Sequence, residues 1–254
     1  MIVREAIILA AGKGSRLRLY YNLPKPIALV RKVRLFQLPI LSLYFAGVKR
    51  FIVVTHKHIK KFFSRFLNKI GVEYEIAINS KVGRENGYSL NIGLDYVDED
   101  IFFVSMCDHV FPSDLPRMML NVMNSDIDIL IAGDADPQYI DIDEATKIHV
   151  VKGKVIRIGK NLKKFNYIDA GVFIMSKHIF GLVKSVIKTR KVVKVSDIVN
   201  RAIESGYNVT VADITGVPWV DVDTANDLKN IVYGEAASLL DSILERTGDV
   251  IGSL

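Results

Sequence analysis

Two glycines directly behind an apolar strand are the first residues here that could do chemistry. Ala6-Ile7-Ile8-Leu9-Ala10 runs into Ala11-Gly12-Lys13-Gly14-Ser15-Arg16-Leu17. Glycine lets a backbone approach a ligand closely and take positive φ. Successive N–H groups in such a turn form a nest for an anion. Ser15 adds a hydroxyl, and Lys13 and Arg16 add charge. The Gly-x4-Gly-Lys spacing of a P-loop is absent, and the third glycine of the dinucleotide fingerprint would fall at Leu17. Read alone, a tight strand-to-helix turn accounts for the loop. Lys25 follows within Pro24-Lys25-Pro26. The prolines fix their own φ and restrict their neighbours, so Lys25 sits in a stiff segment. It could clamp a phosphate that must react, or be an exposed loop lysine. Asp108 follows the apolar run Ile101 to Met106. A carboxylate at the carboxyl end of a strand suits Mg²⁺, which takes one or two carboxylates plus substrate phosphates and waters. A turn cap before Pro112 is the alternative.

The segment Leu9-Ala10-Ala11-Gly12-Lys13-Gly14-Ser15-Arg16-Leu17, followed by Pro24-Lys25-Pro26, resembles the two-part signature of the nucleotidyltransferases that activate sugar phosphates. Further segments extend the likeness over nearly the whole chain. They are Asn86-Gly87-Tyr88-Ser89-Leu90, Met106-Cys107-Asp108-His109-Val110, Ile158-Gly159-Lys160 and Asp169-Ala170-Gly171-Val172-Phe173. With Asp141-Ile142-Asp143-Glu144-Ala145-Thr146-Lys147 and Trp219-Val220-Asp221-Val222-Asp223-Thr224, the chain resembles one branch. That branch is the CTP:inositol-1-phosphate cytidylyltransferases of di-myo-inositol phosphate synthesis.

The resemblance implies transfer of CMP from CTP to inositol-1-phosphate, with Mg²⁺ as cofactor. Arg16 and Lys25 would be the catalytic residues. Ala10, Ala11, Gly12, Gly14, Ser15, Arg16, Asn86, Gly87 and Asp108 would bind the nucleotide, and Asp108 and Asp221 the metal. Glu144, Lys147, Lys160, Asp169 and Gly171 would form the acceptor site, carboxylates accepting from polyol hydroxyls and lysines pairing with the phosphate. No side chain visible in the sequence decides between cytosine and uracil. Asp223 reads either as a third metal ligand or as a buttress of the Thr224 cap. Asp141 and Asp143 read as acceptor-site or surface residues, Asp126 and Asp128 as a surface edge. A phosphate monoester is already an anionic nucleophile, so His109 reads as a wall or hydrogen-bonding residue rather than a base. Two alternatives stay open. One is a nucleotidyltransferase for another sugar-1-phosphate or phosphocholine. The other is a glycosyltransferase with a similar sheet, which would release no pyrophosphate.

These residues need a scaffold, and the sequence supplies one. The chain has 254 residues, 50% hydrophobic and 24% charged. That composition excludes global disorder and allows a large core. Cys107 is the lone cysteine, which excludes a disulfide scaffold and points to a reducing compartment. No apolar run reaches the roughly 18 residues of a membrane span, and the N-terminus does not read as a secretory signal. A cytoplasmic protein is expected, or one at the cytoplasmic membrane face if a membrane domain follows. The net charge of +6 is spread out. No nucleic-acid motif accompanies it, so a basic solvated face or a site for small phosphorylated anions is preferred.

Strands are expected at Ala6 to Ala10, Phe51 to Thr55, Glu73 to Ile78 and Ile101 to Met106. Helical patterns lie between them at Leu35 to Phe45, His58 to Ile70 and Asn86 to Val97. This alternation predicts a Rossmann-like, glycosyltransferase-A-like α/β fold, with a mostly parallel mixed sheet covered by helices on both faces. Beyond it, a strand is expected over Asp128 to Ala132 and a hairpin around Lys152-Gly153. Further strands are expected at Gly171 to Met175, Asn208 to Ala212 and Trp219 to Val222. A helix over Ser196 to Ser205 ends at Gly206. The Thr224/Asp227 capping box opens one last helix bearing Leu228, Ile231, Val232, Leu239, Leu240 and Ile243. A single nucleotidyltransferase domain is expected over 1–246. The tail 247–254 resembles the junction into the membrane-embedded phosphatidyltransferase-like domain that many members of this branch carry. That partner would be joined to the chain or separate. The resemblance also admits a homodimer and implies a heat-loving source.

Overall fold

The computed structural model describes residues 2–18 and 23–251. Strand β1 (Glu5–Ala10) is buried along its whole length, as a strand covered on both faces must be. Ala6, Ile8 and Ala10 enter one core and Ile7 and Leu9 the other. The Gly12–Gly14 loop leads to a short helix α1 (Ser15–Arg18). A hairpin of β2 (Leu29–Val30) and β3 (Val33–Arg34) precedes helix α2 (Gln37–Phe45). The expected alternation then appears: β4 (Arg50–Thr55), α3 (Lys60–Ile70), β5 (Glu73–Ile78), α4 (Asn86–Leu94) and β6 (Ile101–Met106). Strands β5, β4, β1 and β6 are adjacent and parallel.

Beyond β6 come β7 (His109–Val110), α5 (Asp114–Val122), β8 (Ile129–Asp134), β9 (Lys147–Val151), β10 (Lys154–Gly159) and β11 (Tyr167–Ser176). Helices α6 (Phe180–Thr189) and α7 (Val195–Glu204), strands β12 (Val209–Asp213) and β13 (Val220–Asp221), and helices α8 (Ala225–Tyr233) and α9 (Ala237–Ile251) complete the order. The nine-stranded sheet runs β5-β4-β1-β6-β11-β8-β12-β10-β9, and β9 also pairs with β11. Strand β11 lies antiparallel to both β6 and β8, while β12 is parallel to β8. The small β13-β7 sheet places Asp221 opposite His109.

Several features differ from the sequence reading. Helices α1, α5 and α6, the β2-β3 hairpin and β7 add to it. Strand β11 begins at Tyr167 rather than Gly171, because it passes through a register shift between Asp169 and Phe173. Gly171 takes φ +71 there, a bulge that re-aims the strand. The expected last helix is two helices. Gly234, at φ −100 and ψ −155, leaves the α8 helix, and α9 then runs through position 246, where the domain was expected to close. Tail residues 252–254 lie outside the described residues. The Lys152-Gly153 hairpin is as expected, both residues having positive φ, as a type I′ turn requires. Among the described residues no helix is long and apolar enough to cross a membrane.

Candidate active site

The carboxyl ends of β1 and β6 open into a cleft of about 350 Å³. It is lined by Leu9, Ala11, Gly12, Lys13, Gly14, Ser15 and Arg16, by Lys25 and Pro26, by Glu85, Asn86 and Ser89, and by Met106, Cys107, Asp108 and Asp223. Gly14 has φ +57, and a Cβ on it would lie 2.7 Å from the Lys25 Cβ. Glycine is therefore required both for the turn and for the close approach of the two signature segments. Backbone bonds hold the second segment rigid. Ile27 and Ala28 donate to the Pro24 and Lys25 carbonyls, and Phe36 N–H donates to Pro26.

Lys25 is 5% exposed. Its ammonium lies 2.7 Å from Asp108 Oδ2 and 3.7 Å from Asp221 Oδ1, and it donates to Asp223 Oδ1. Burial alone would make this lysine easier to deprotonate, but the three carboxylates outweigh it and hold the proton firmly. Burial likewise works to raise Asp108, yet the Lys25 charge and His109 hold it well below the usual carboxylate range. Burial raises Asp221 above that range. Among the described residues, Asp221 Oδ1 is buried with no hydrogen-bond partner. Asp108, His109 and Asp221 offer ligand atoms within 4.8 Å of one another.

His109 is largely buried. Its ring lies parallel to that of Trp219, at 8° and 5.9 Å between centroids, and its Nδ1 is 3.2 Å from Asp108 Oδ1. Burial opposes its charge, but Asp221 and Asp108 raise its pKa to about 9. A Cβ on Gly171 would lie 2.5 Å from this ring, so Gly171 provides the space that His109 occupies. Asp169 accepts from the Gly171 N–H at 2.8 Å, and burial raises its pKa to about 6. Trp219 donates its Nε1–H to buried Asp134 at 2.8 Å. The sequence reading had not singled out Asp134.

The other expected residues separate into those at the cleft and those behind it. Arg16 spans the opening, with Nη1 3.3 Å from Asp223 and 3.6 Å from Glu144, and Lys160 lies 3.9 Å from Glu144. Asp223 therefore faces the cleft. Asp227, not Asp223, closes the Thr224 capping box. Three of the expected residues lie apart from the cleft lining. Ala10 is fully buried, lies outside the cleft lining, and its carbonyl accepts from Thr55 Oγ1. Gly87 also lies outside it. Its N–H is given to the Val193 carbonyl, and a Cβ would sit 2.7 Å from that oxygen. Lys147 is 7% exposed and donates to the carbonyls of Asp143, Ala145 and Lys160. It ties the acceptor loop together, and its ammonium is not free for a phosphate. Asp128 is a structural tie that accepts from Asn208 N–H, and Asp141 accepts from Asp143 N–H in a local turn. Cys107 is a buried core thiol, kept protonated by burial.

A family model described as Nucleotidyl transferase matches residues 5–237. The "Bifunctional IPC transferase and DIPP synthase" of Thermococcus kodakarensis is 34% identical over 231 residues, 90% of this chain and 50% of that protein. The protein of the same name from Aquifex aeolicus is 31% identical over 229 residues, 90% of this chain and 51% of that one. The chain thus spans about half the length of the curated relatives it matches. The solved inositol-1-phosphate CTP transferase from T. maritima is 30% identical with a TM-score of 0.86, over 96% of this chain and 97% of that one. A glucose-1-phosphate thymidylyltransferase from Bacillus anthracis, described as putative, has a TM-score of 0.79 at 18% identity over 94% and 96%, a likeness of fold.

Proposed function

The chain belongs to the nucleotidyl transferase family, and we propose that it transfers CMP from CTP to inositol-1-phosphate, giving CDP-inositol and pyrophosphate. The observation that carries the reaction type is the buried Lys25 ammonium among three carboxylates at the mouth of the glycine loop. The choice of substrates is supported by the 30% identity to the inositol-1-phosphate CTP transferase along 97% of that chain.

In this reading a phosphate oxygen of the acceptor attacks the α-phosphorus of CTP. The bond from that phosphorus to the pyrophosphate oxygen breaks, and pyrophosphate leaves with the electron pair. No proton need be removed from the nucleophile. Two anions must meet, so the protein's contribution is positional and electrostatic. N–H groups of Ala11, Gly12, Gly14 and Ser15 cradle the triphosphate. Arg16, one side chain with two carboxylate neighbours, neutralises the leaving pyrophosphate. Lys25 bridges the two reacting phosphates, exchanging carboxylate contacts for phosphate oxygens. Glu144, Lys160 and Asp169 take the acceptor, and Lys147 and Gly171 shape their loop and wall.

The site fits a divalent cation, because Asp108 and Asp221 lie together and the buried Asp221 Oδ1 has no hydrogen-bond donor among the described residues. Mg²⁺ held there would neutralise charge on the α-phosphate. The catalytic unit is proposed to comprise residues 1–246. A membrane-embedded phosphatidyltransferase-like enzyme, joined or separate, would consume its product.

The test is pyrophosphate release by the purified chain with Mg²⁺, crossing CTP, UTP, ATP and GTP against inositol-1-phosphate and glucose-1-phosphate, hot and at room temperature. Release confined to CTP with inositol-1-phosphate supports the proposal. Release with another pair would discard the acceptor assignments. No release from folded protein with any pair would sink the nucleotidyl transfer itself.

A further inference from the structure

The cleft contains a residue whose backbone is strained and whose side chain is unused. Glu85 lines the cleft beside Asn86 and has φ +66 and ψ −177. That conformation is reached readily by glycine and costs free energy for any other residue. Its neighbours enforce it. Val193 N–H donates to the Arg84 carbonyl, Gly87 N–H donates to the Val193 carbonyl, and Val195 N–H donates to Asn86 Oδ1. Arg84 itself is clamped, its guanidinium donating to the carbonyls of Ile187, Arg190 and Lys191 and stacking on Tyr88. Residues 84–87 are thus fastened to the α6–α7 connection on both sides of Glu85.

The other polar side chains beside it each hold a protein partner. Asn86 accepts from Val195 and donates to Met106 Sδ. Ser89 is buried and accepts from Asn79 Nδ2. Among the described residues no hydrogen bond or ion pair engages the Glu85 carboxylate. An ionised carboxylate only accepts. Cytosine presents an exocyclic amine where uracil presents a carbonyl.

We propose that Glu85 selects the base. Its carboxylate accepts a hydrogen bond from the exocyclic amine of cytosine and repels the corresponding carbonyl of uracil. This deepens the cytidylyl reading and rests on it. The carboxylate rather than the turn carries the discrimination, and the fastened backbone fixes where the carboxylate stands.

The test compares the wild-type chain with Glu85→Gln and Glu85→Gly. Pyrophosphate release with inositol-1-phosphate and Mg²⁺ is measured for CTP and UTP, together with calorimetric binding of each nucleotide. Wild type should favour CTP. Both variants should lower the CTP-to-UTP ratio of kcat/KM by about 10- to 100-fold. Glu85→Gln should gain on UTP, because its amide can donate to the carbonyl. Glu85→Gly relieves the backbone, so it isolates the carboxylate and stays folded if Glu85→Gln does not. An unchanged ratio in both variants, or equal losses toward both nucleotides, overturns the proposal and leaves the transferase reading intact. If wild type transfers nothing, that reading fails, and binding still decides Glu85. A preference for CTP that the variants lose supports it, and equal binding of CTP and UTP by wild type overturns it.

Discussion

Trp219 and His109 are parallel plates, their ring centroids 5.9 Å apart. The indole is fixed from behind by Asp134, buried at 2% exposure, which accepts the Nε1–H at 2.8 Å. Asp134→Ala leaves a buried donor unsatisfied, a loss of about 1–3 kcal/mol. The melting temperature should fall by about 2–10 °C. Trp219→Phe keeps the stack and should lose less; calorimetry of the two variants checks the order.

Lys25→Ala should lower kcat by about 10²–10³, as for other donors aimed at developing charge. It also leaves Asp108, Asp221 and Asp223 without their shared cation. Added Mg²⁺ should therefore raise the melting temperature of Lys25→Ala more than that of wild type. Equal shifts would show that these carboxylates do not bind the metal.

Lys147→Ala and Lys160→Ala should part company. Lys147 serves three carbonyls from a buried position, so its loss should destabilise the protein by about 1–3 kcal/mol. Lys160 is exposed, so its loss should raise KM for inositol-1-phosphate with the melting temperature almost unchanged. A Lys147→Ala protein of wild-type stability and raised KM would restore the direct phosphate contact.

Gly171→Ala places a Cβ 2.5 Å from the His109 ring at φ +71. Strain and overpacking together should cost about 2–4 kcal/mol, and turnover should fall as His109 is displaced. Urea unfolding and initial rates on the same preparation read both effects.

With a chelator present, stability should decline as pH rises from about 6.5 to about 9. Burial opposes the His109 charge, but Asp221 and Asp108 raise its folded pKa from 6.5 to about 9. A raised value means that its stabilisation is complete below the unfolded pKa and lost as pH climbs through the folded one. His109→Gln should flatten that decline in denaturation midpoints measured across the range.

Much of the site was legible through the resemblance carried by the glycine loop and Pro24-Lys25-Pro26, and Asp108 stands where an apolar run announces a strand end. Asp223 was ambiguous because its neighbour opens a helix; the Thr224/Asp227 capping box was legible, but the approach of Asp223 to Lys25 and Arg16 came only with the fold. Lys147 was misread because a lysine in a polar segment looks exposed, while three carbonyls draw its ammonium inward. Glu85 was overlooked because a left-handed backbone on a non-glycine residue leaves no mark in composition. In the fold, β1, β4 and β6 were legible from continuous apolar runs and β5 from a weak alternation. Helix α6 was not, because β-branched residues and Gly181 weaken its local signal and docking onto the sheet stabilises it. The break between α8 and α9 rests on Gly234, which the apolar spacing bridges without interruption.

Lys25 and Asp223 are 198 residues apart. A ribosome releases the lysine long before the carboxylates at 221 and 223. Burial of the Lys25 ammonium is costly without paired carboxylates, and two of its three partners sit at the far end of the chain. The charge balance of the centre is therefore complete only when the chain through Asp223 is present.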